Sequence, residues 1–220
     1  IRDRIRIEET DSTRLVYKGK ELDNVSQNIG FGGNVRSAYK GGWGFSSFNF
    51  LPDLEKDLRN IHGEAFYQAK SIGDSKTNLA EAEPNIDKVV NCFGKNPNLI
   101  TIKEKKELME HYLGIIFSSN KISSGDVIYG DMRRKVYFGN SDGTYIEQEY
   151  SHVISRISIQ TRIGDDILES GFSIGSLGDY DLVENLDDLV LEHRDKAIGL
   201  LKSNTLPGGE KTVVLDPILA

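Results

Sequence analysis

Long runs of alternating apolar and polar residues constrain the fold of this 220-residue chain more than any other feature. The run RIRIEE near the start places Ile5 and Ile7 on one side of an extended segment and charged residues on the other. In the second half, Val153, Ile157 and Ile159 share one side in the same way. Because a period of two puts apolar side chains on one face of a sheet, both halves are predicted to be rich in β-strands.

Short turn-forming sequences separate these runs. The segment TRLVYKGKEL alternates on both sides of Gly19, which predicts a hairpin. The sequence NSDG, residues 140–143, predicts a second turn, because Asn, Asp and Gly tolerate the positive φ angles of tight turns. Residues 164–166 predict a third turn, which closes another hairpin. Neighbouring strands are therefore expected to be mostly antiparallel.

Three segments repeat apolar residues at every third or fourth position, which predicts amphipathic helices over residues 52–72, from residue 101 onward, and over residues 186–202. The first is expected to start at Pro52, and Gly73 is expected to close it in the left-handed conformation. Thr101 and Glu104 form the capping-box pattern at the start of the second helix. Asn185 is expected to cap the third.

The two halves repeat one arrangement, a Gly-Phe-Ser strand followed by a helix that starts with acidic residues and ends in Lys-Ser. The copies begin at Gly44 and Gly171, 127 positions apart. This spacing favours two related units, although strand-to-helix sequences can also resemble each other without duplication. We predict an α+β fold of two related units of mostly antiparallel sheet with packed helices. The predicted ranges are 1–73 for the first unit, 74–100 for a polar linker, 101–207 for the second unit, and 208–220 for the start of a following C-terminal domain.

Composition narrows the classes of partner. The chain has 34 acidic and 27 basic residues and a formal net charge of −7, so direct binding to nucleic acid is not expected. No apolar run reaches the roughly 18 residues that a membrane span needs. The one cysteine, Cys92, excludes an intrachain disulfide. We therefore expect a cytoplasmic protein that does not associate with membranes.

The glycine-rich and serine-rich stretches do not support a known catalytic or phosphate-binding site. The stretches IGFGGN and GGWG lack the spacing of dinucleotide and phosphate loops, so Gly30, Gly32 and Gly33 are assigned to bulges and turns. The sequence GFSIG, residues 171–175, has the G-x-S-x-G spacing, but it lies within a predicted strand. The nucleophile elbow of a serine hydrolase needs a sharp turn from strand to helix, so a serine hydrolase is not supported. Cys92 has no histidine or basic cluster beside it and is predicted to be unreactive.

The histidines and paired carboxylates likewise form no complete site. The four histidines are too widely spaced for common zinc motifs. Glu107 and His111 are predicted to be a surface pair on one helix. Turns and helix starts account for three acidic pairs, at residues 165 and 166, 179 and 181, and 187 and 188.

Three stretches together resemble one protein family. GGWGFSSFN precedes a helix, GNSDG lies in a later hairpin, and VVLDPILA ends the sequence. In these features, matched at residues 42–46, 140–143 and 214–220, the chain resembles the N-terminal region of the TldD/PmbA family, also labelled modulator of DNA gyrase. The resemblance implies a zinc metallopeptidase system that cleaves peptides or unfolded protein. In that system a TldD-type subunit carries the metal and a PmbA-type (TldE) subunit is its partner.

The metal motif of that family is not in this sequence. In TldD-type members, a segment similar to VVLDPILA leads into a helix with His-Glu-x-x-x-His, which this sequence lacks. The resemblance therefore assigns no catalytic, cofactor or metal residue to this chain, and it implies zinc in the C-terminal part of a TldD-type protein. The chain is expected to guide substrate and to form a homodimer or a TldD–TldE-type heterodimer. A non-catalytic PmbA/TldE-like partner or a stand-alone protein-binding module is the alternative.

Trp43 and Phe45 are the candidate site residues. They alternate with Gly42 and Gly44, so both rings are predicted to lie on one face of a strand while the glycines allow close approach on the other. The favoured interpretation packs the rings under the following helix. The alternative assigns Trp43 and Phe45 to peptide binding and predicts an exposed ring beside an unpaired strand edge.

Overall fold

The computed structural model describes residues 2–73, 80, 82–90, 94–204 and 206–216. Within these residues the predicted α+β fold is confirmed as seven strands and three α-helices. The elements are β1 (Arg2–Lys18), β2 (Glu21–Tyr39), β3 (Gly42–Phe48), α1 (Leu54–Ile72), β4 (Ile86–Val90), α2 (Ile102–Ile116), β5 (Ile122–Asn140), β6 (Tyr145–Ile163), β7 (Asp166–Ser176) and α3 (Asp187–Leu200), with short 3₁₀ turns at Pro97–Leu99 and Tyr180–Val183.

All seven strands belong to one continuous sheet. Its order is β3-β2-β1-β5-β6, and both β4 and β7 pair with the outer edge of β6. β4 runs parallel to residues 145–149 of β6, and β7 runs antiparallel to residues 153–163. The remaining pairings are antiparallel, and β1 joins β5 over residues 4–18 and 126–140. The two predicted units therefore share a single sheet.

The topology repeats about the β1–β5 pair. β3, β2 and β1 on one side match β7, β6 and β5 on the other, and a helix follows each outer strand. The residue alignment predicted for this repeat is wrong. Gly44 faces α1, whereas on β7 the ring of Phe172 faces α3 and lies 5.1 Å from that of His193. Neighbouring residues on a strand face opposite sides, so Gly171, next to Phe172, faces away from α3. Gly44 faces its helix, and the two glycines are therefore not equivalent.

The helices pack on one face of the sheet. Ile5 of β1 lines a cavity with Leu58 of α1, and Leu15 of β1 joins the core under α2 and α3. Ile5 and Leu15 are ten residues apart on one strand, so they face the same side. The largest fully buried side chains include four tyrosines: Tyr17, Tyr112, Tyr129 and Tyr180.

The helix ends agree with the predictions in part. The Asp53 carboxylate accepts a hydrogen bond from the Lys56 N–H at 3.2 Å and caps α1. The expected left-handed conformation of Gly73 is wrong, because its φ is −21°. The capping box of α2 is confirmed. Asn185 does not cap α3: it takes the left-handed conformation itself, with φ 57°, so the helix begins later and lacks a side-chain cap.

One strand lies in the range predicted as a linker. β4 has an exposed apolar and charged sequence, IDKVV, with no long flanking pattern. Its place depends on hydrogen bonds to β6 and on the Lys88–Glu147 ion pair at 3.0 Å. A five-residue strand held by pairing with a distant segment leaves little periodic signal in the sequence.

Candidate functional site

Trp43 and Phe45 lie on the face of β3 that points away from α1. Gly42 and Gly44 are buried on the opposite face, whereas Phe45 is 48% exposed. The predicted alternation along the strand is therefore confirmed, and the favoured interpretation that packs the rings under the helix is wrong. The Phe45 ring instead lies 5.5 Å from the guanidinium carbon of Arg36 on β2.

The two buried glycines explain this arrangement. A Cβ at Gly44 would lie 1.7 Å from the carbonyl oxygen of Ala65, and one at Gly42 would lie 2.3 Å from that of Ala69. Both contacts are far inside van der Waals distance. The backbones of β3 and α1 touch directly, so no ring can lie between them.

Side chains of α1 occupy the outer edge of β3. The Phe45 N–H donates to the Gln68 side-chain oxygen at 3.2 Å, and the Ser46 hydroxyl donates to Glu64 at 2.9 Å. The exposed ring of Phe45 is thus beside an edge that the helix already covers at that residue.

The outer edge of β2 is open beyond the end of β3. β3 pairs only with residues 33–39 of β2, and residues 21–32 have no strand on that side in the part of the chain that the structure describes. Residues 24–32 carry no charge and no proline. Ile29 is 87% exposed, and other apolar side chains on the same stretch are also exposed: Leu22, Val25 and Phe31. Most edge strands carry charges or prolines that discourage pairing.

The register shows which backbone groups are available on this edge. The Phe45 N–H points away from β2, so its partner Arg36 directs its own N–H and C=O toward β1. Peptide groups alternate along a strand. The N–H and C=O groups of Val25, Gln27 and Ile29 therefore point outward.

A shallow trough lies beside this edge on the face away from the helices. It has a volume of about 390 Å³, and Glu8, Thr10, Gly30, Gly32 and Asn34 line it. Burial alone would raise the pKa of Glu8, but hydrogen bonds from Arg134 and Arg6 lower that pKa below its usual value. The trough therefore keeps a carboxylate charge at neutral pH.

The assignment of Gly30, Gly32 and Gly33 to bulges and turns is wrong. All three lie inside β2, and the only irregularity in the β1–β2 register is at Val16 and Tyr17. Neighbouring atoms leave no room for a side chain at two of these positions. An added Cβ at Gly33 would lie 2.5 Å from the Phe48 ring, and one at Gly30 would lie 2.5 Å from the Thr10 hydroxyl.

Each histidine with a polar contact has a different partner. His62 Nε2 lies 3.0 Å from Asp3, His111 Nε2 lies 2.9 Å from Asp187, and His193 Nδ1 lies 2.9 Å from the Ser170 hydroxyl. The predicted Glu107–His111 pair is replaced by this contact with Asp187, while Glu107 lies 3.7 Å from Lys103. Burial lowers the pKa of His193.

The three acidic pairs lie at turns or at the start of a helix, as predicted. Asp179 accepts hydrogen bonds from the N–H groups of Gly94, Lys95 and Asp181, and these contacts lower its pKa. Residues 165 and 166 lie at the turn into β7, and residues 187 and 188 begin α3. Cys92 lies outside the described residues.

The described residues contain neither a metal-binding cluster nor a membrane-spanning helix. There, no group of three His, Cys, Asp or Glu side chains is close enough to hold a metal ion. The zinc implied by the family resemblance therefore finds no fitting set of ligands in this part of the chain. No helix among these residues has the length and apolar character that crossing a membrane requires.

Comparisons with known proteins extend over almost the whole chain. Residues 4–62 match the family model described as PmbA/TldA metallopeptidase domain 1, and residues 95–201 match the PmbA/TldA metallopeptidase central domain. A metalloprotease of Synechocystis sp. is 33% identical over 217 residues, which is 98% of this chain and 46% of the relative. A metalloprotease of Methanocaldococcus jannaschii is 29% identical over 220 residues, 98% of this chain and 48% of the relative.

Solved structures share the fold at low identity. A modulator of DNA gyrase from Thermotoga maritima has a TM-score of 0.75 and 18% identity, covering 94% of this chain and 46% of that one. TldE from Thermococcus kodakarensis has a TM-score of 0.62 and 14% identity, covering 90% and 44%. The chain spans about half the length of the relatives it matches. From the two family models, which together cover most of its residues, the chain belongs to the PmbA/TldD metallopeptidase family.

Proposed function

We propose that this chain is the N-terminal, substrate-guiding and dimer-forming region of a zinc metallopeptidase that acts on peptides or unfolded protein. In this proposal the chain holds an extended peptide, and zinc bound elsewhere in the enzyme supplies the Lewis-acid chemistry. The proposal also places the protein in the cytoplasm.

The open outer edge of β2 is the observation that carries this proposal. Its outward N–H and C=O groups can pair with the main chain of any extended peptide. Alternate peptide side chains would then fall on the exposed apolar row that includes Ile29 and over the trough at Gly30 and Gly32. Main-chain pairing tolerates many sequences, which suits an enzyme for unfolded substrates.

Trp43 and Phe45 are proposed to lie beside one end of the bound peptide. A peptide paired with residues 21–32 of β2 would lie end to end with β3. The exposed Phe45 ring is on the same face of the sheet as the trough, so it is positioned to contact one end of a longer peptide.

The proposal predicts that Gln27→Pro impairs peptide processing by the complete gene product. Proline removes one outward N–H from the edge and blocks pairing there, while an edge position tolerates its ring. Peptide cleavage and zinc content are measured on the same preparation. We expect cleavage to fall severalfold and zinc content to stay unchanged.

Gln27→Ala is the matched control, because it removes the same side chain and keeps the N–H. It should cleave peptide at the parental rate. Equal rates for Gln27→Pro and the parent would remove the edge of β2 from the proposal. Loss of activity in both variants would assign the effect to the side chain instead of main-chain pairing.

The non-catalytic alternative and the dimer need separate measurements. A PmbA/TldE-like partner could guide peptides without zinc of its own, so a complete gene product that binds no zinc would favour that alternative. The dimer is tested by sedimentation at micromolar concentration, alone and with a second family member. A monomer in both cases would contradict the dimer-forming role.

A further inference from the structure

A cavity of about 510 Å³ lies between α1 and the turn that joins β5 to β6. Ile5, Val35 and Leu58 supply apolar walls, while Asp3 and His62 supply polar groups. Residues of both halves of the chain contribute to its lining. It is separate from the open edge of β2.

The turn sequence NSDG builds one wall of this cavity. The Asn140 side-chain oxygen accepts hydrogen bonds from the N–H groups of Asp142 and Thr144, at 3.1 and 2.8 Å, and shapes the turn. Ser141 then holds the backbone of Asp3 on both sides. The Asp3 N–H donates to the Ser141 hydroxyl, and the Ser141 N–H donates to the Asp3 carbonyl, each at 3.0 Å.

The carboxylate of Asp3 is only half satisfied. Its Oδ2 lies 3.0 Å from His62 Nε2, whereas Oδ1 is buried and has no hydrogen-bond partner among the described residues. A buried polar oxygen without a partner costs roughly 1–3 kcal/mol. The side chain as a whole is 26% exposed, and the outer torsion of an aspartate is soft. Rotation of that torsion lets His62 keep one oxygen while the other turns toward the cavity.

The surroundings favour a positively charged group on an aliphatic stem. Two arginines also line the cavity. Arg59 of α1 forms an ion pair with Glu55 at 2.6 Å, and Arg4, next to Ile5 on β1, directs its side chain to the opposite face of the sheet. The chain carries a net charge of −7, which attracts cations overall. The apolar walls match the methylene stem of such a group.

We propose that this cavity binds an ammonium or guanidinium group on an aliphatic stem, the chemistry of a lysine or arginine side chain. The stem packs against Ile5, Val35 and Leu58, and the charged group pairs with Asp3. Because Ser141 fixes the backbone of Asp3, only the side-chain torsions of Asp3 have to adjust when the ligand binds.

The test is an NMR titration of the whole chain with N-acetyl-lysine N-methylamide. The norleucine analogue is the neutral probe of similar shape. We expect the lysine probe to shift the methyl signals of Leu58 and the ring signals of His62, and the norleucine probe to bind much more weakly. In Asp3→Asn, affinity for the lysine probe should fall roughly tenfold or more, as expected for a hydrogen bond to a charged group.

Asp11→Asn is the matched control, since it removes the same charge from β1 outside the cavity. It should bind the lysine probe like the parent, and amide spectra of both variants report whether the fold is intact. A folded Asp3→Asn variant with parental affinity, or equal shifts from the norleucine probe, would overturn the inference.

A third probe, butylammonium, identifies the source of the cation. Affinity equal to that of the lysine probe would support a site for free alkylamines. Clearly tighter binding of the lysine probe would support a site for a side chain of a polypeptide. Both results retain the proposed chemistry of the pocket.

Discussion

A buried charge pair is the residue-level feature that the sequence least suggests. Lys105 on α2 and Asp131 on β5 are 2% and 5% exposed, and their Nζ and Oδ2 atoms are 2.5 Å apart. The Tyr129 hydroxyl donates to the same carboxylate oxygen at 2.5 Å. Burial, together with the charge of Asp131, raises the pKa of Tyr129 far above its ordinary value, so the hydroxyl remains a donor. Lys105 lies among other charged residues in the sequence KEKKE, which does not mark it as buried.

We predict that Lys105→Met destabilises the protein by about 3–5 kcal/mol, because it leaves Asp131 as a buried charge without its partner. The measurement is the free energy of unfolding in urea at neutral pH. Lys103→Met is the control on the exposed side of the same helix, where we expect a change within about 0.5 kcal/mol. Similar values for the two variants would contradict the burial of the Lys105–Asp131 pair.

At the scale of elements, α1 and β3 form the closest packing in the first half of the chain. Backbone meets backbone at Gly44 and Ala65, and this contact directs the rings of Trp43 and Phe45 to the other face. Gly63 lies in the same helix with no neighbouring atom within 4 Å of an added Cβ. The two glycines therefore differ in role although both belong to this one helix–strand unit.

We predict opposite effects of alanine at these two positions. Gly44→Ala should destabilise the protein by about 1–3 kcal/mol or more, because overpacking forces the helix away from the strand. Gly63→Ala should stabilise it by about 0.8–1 kcal/mol, because alanine favours the helix and meets no clash. Urea unfolding of both variants checks this, and a tolerated Gly44→Ala would rule out the close approach.

At the scale of the whole molecule, β1 connects the two halves. It pairs with β2 and with β5, and its Leu15 and Tyr17 belong to the core cluster that includes residues of α2 and α3. A side chain from the first family domain thus packs in the core of the second. We expect the two halves to unfold together.

Leu15→Ala tests this coupling. Leu15 is fully buried, so its truncation should cost about 2.7–5 kcal/mol. Trp43 is the only tryptophan and reports on the first half, while far-ultraviolet circular dichroism reports on all three helices. Both signals should show one transition with the same lowered midpoint. Separate midpoints would show that the halves unfold independently.

Much of the fold and part of the candidate site can be predicted from local patterns. Period-two alternation marked the long strands, and helical spacing marked all three helices. The capping box at Thr101 and the turn at NSDG were predictable because their hydrogen bonds join neighbouring residues. The alternation of Trp43 and Phe45 with glycine followed from the geometry of any strand.

The sequence by itself determined the long strands, the three helices, the hairpin turns and the family, because these depend on short-range periodicity and on residues in a recognisable order. Only the tertiary structure decided which face of β3 meets α1, where β4 pairs, and that Lys105 is buried. It also decided that residues 21–32 of β2 form the open edge, and that Asp3 meets His62 and Ser141. Each of these depends on contacts between segments far apart in the chain, which no local pattern encodes.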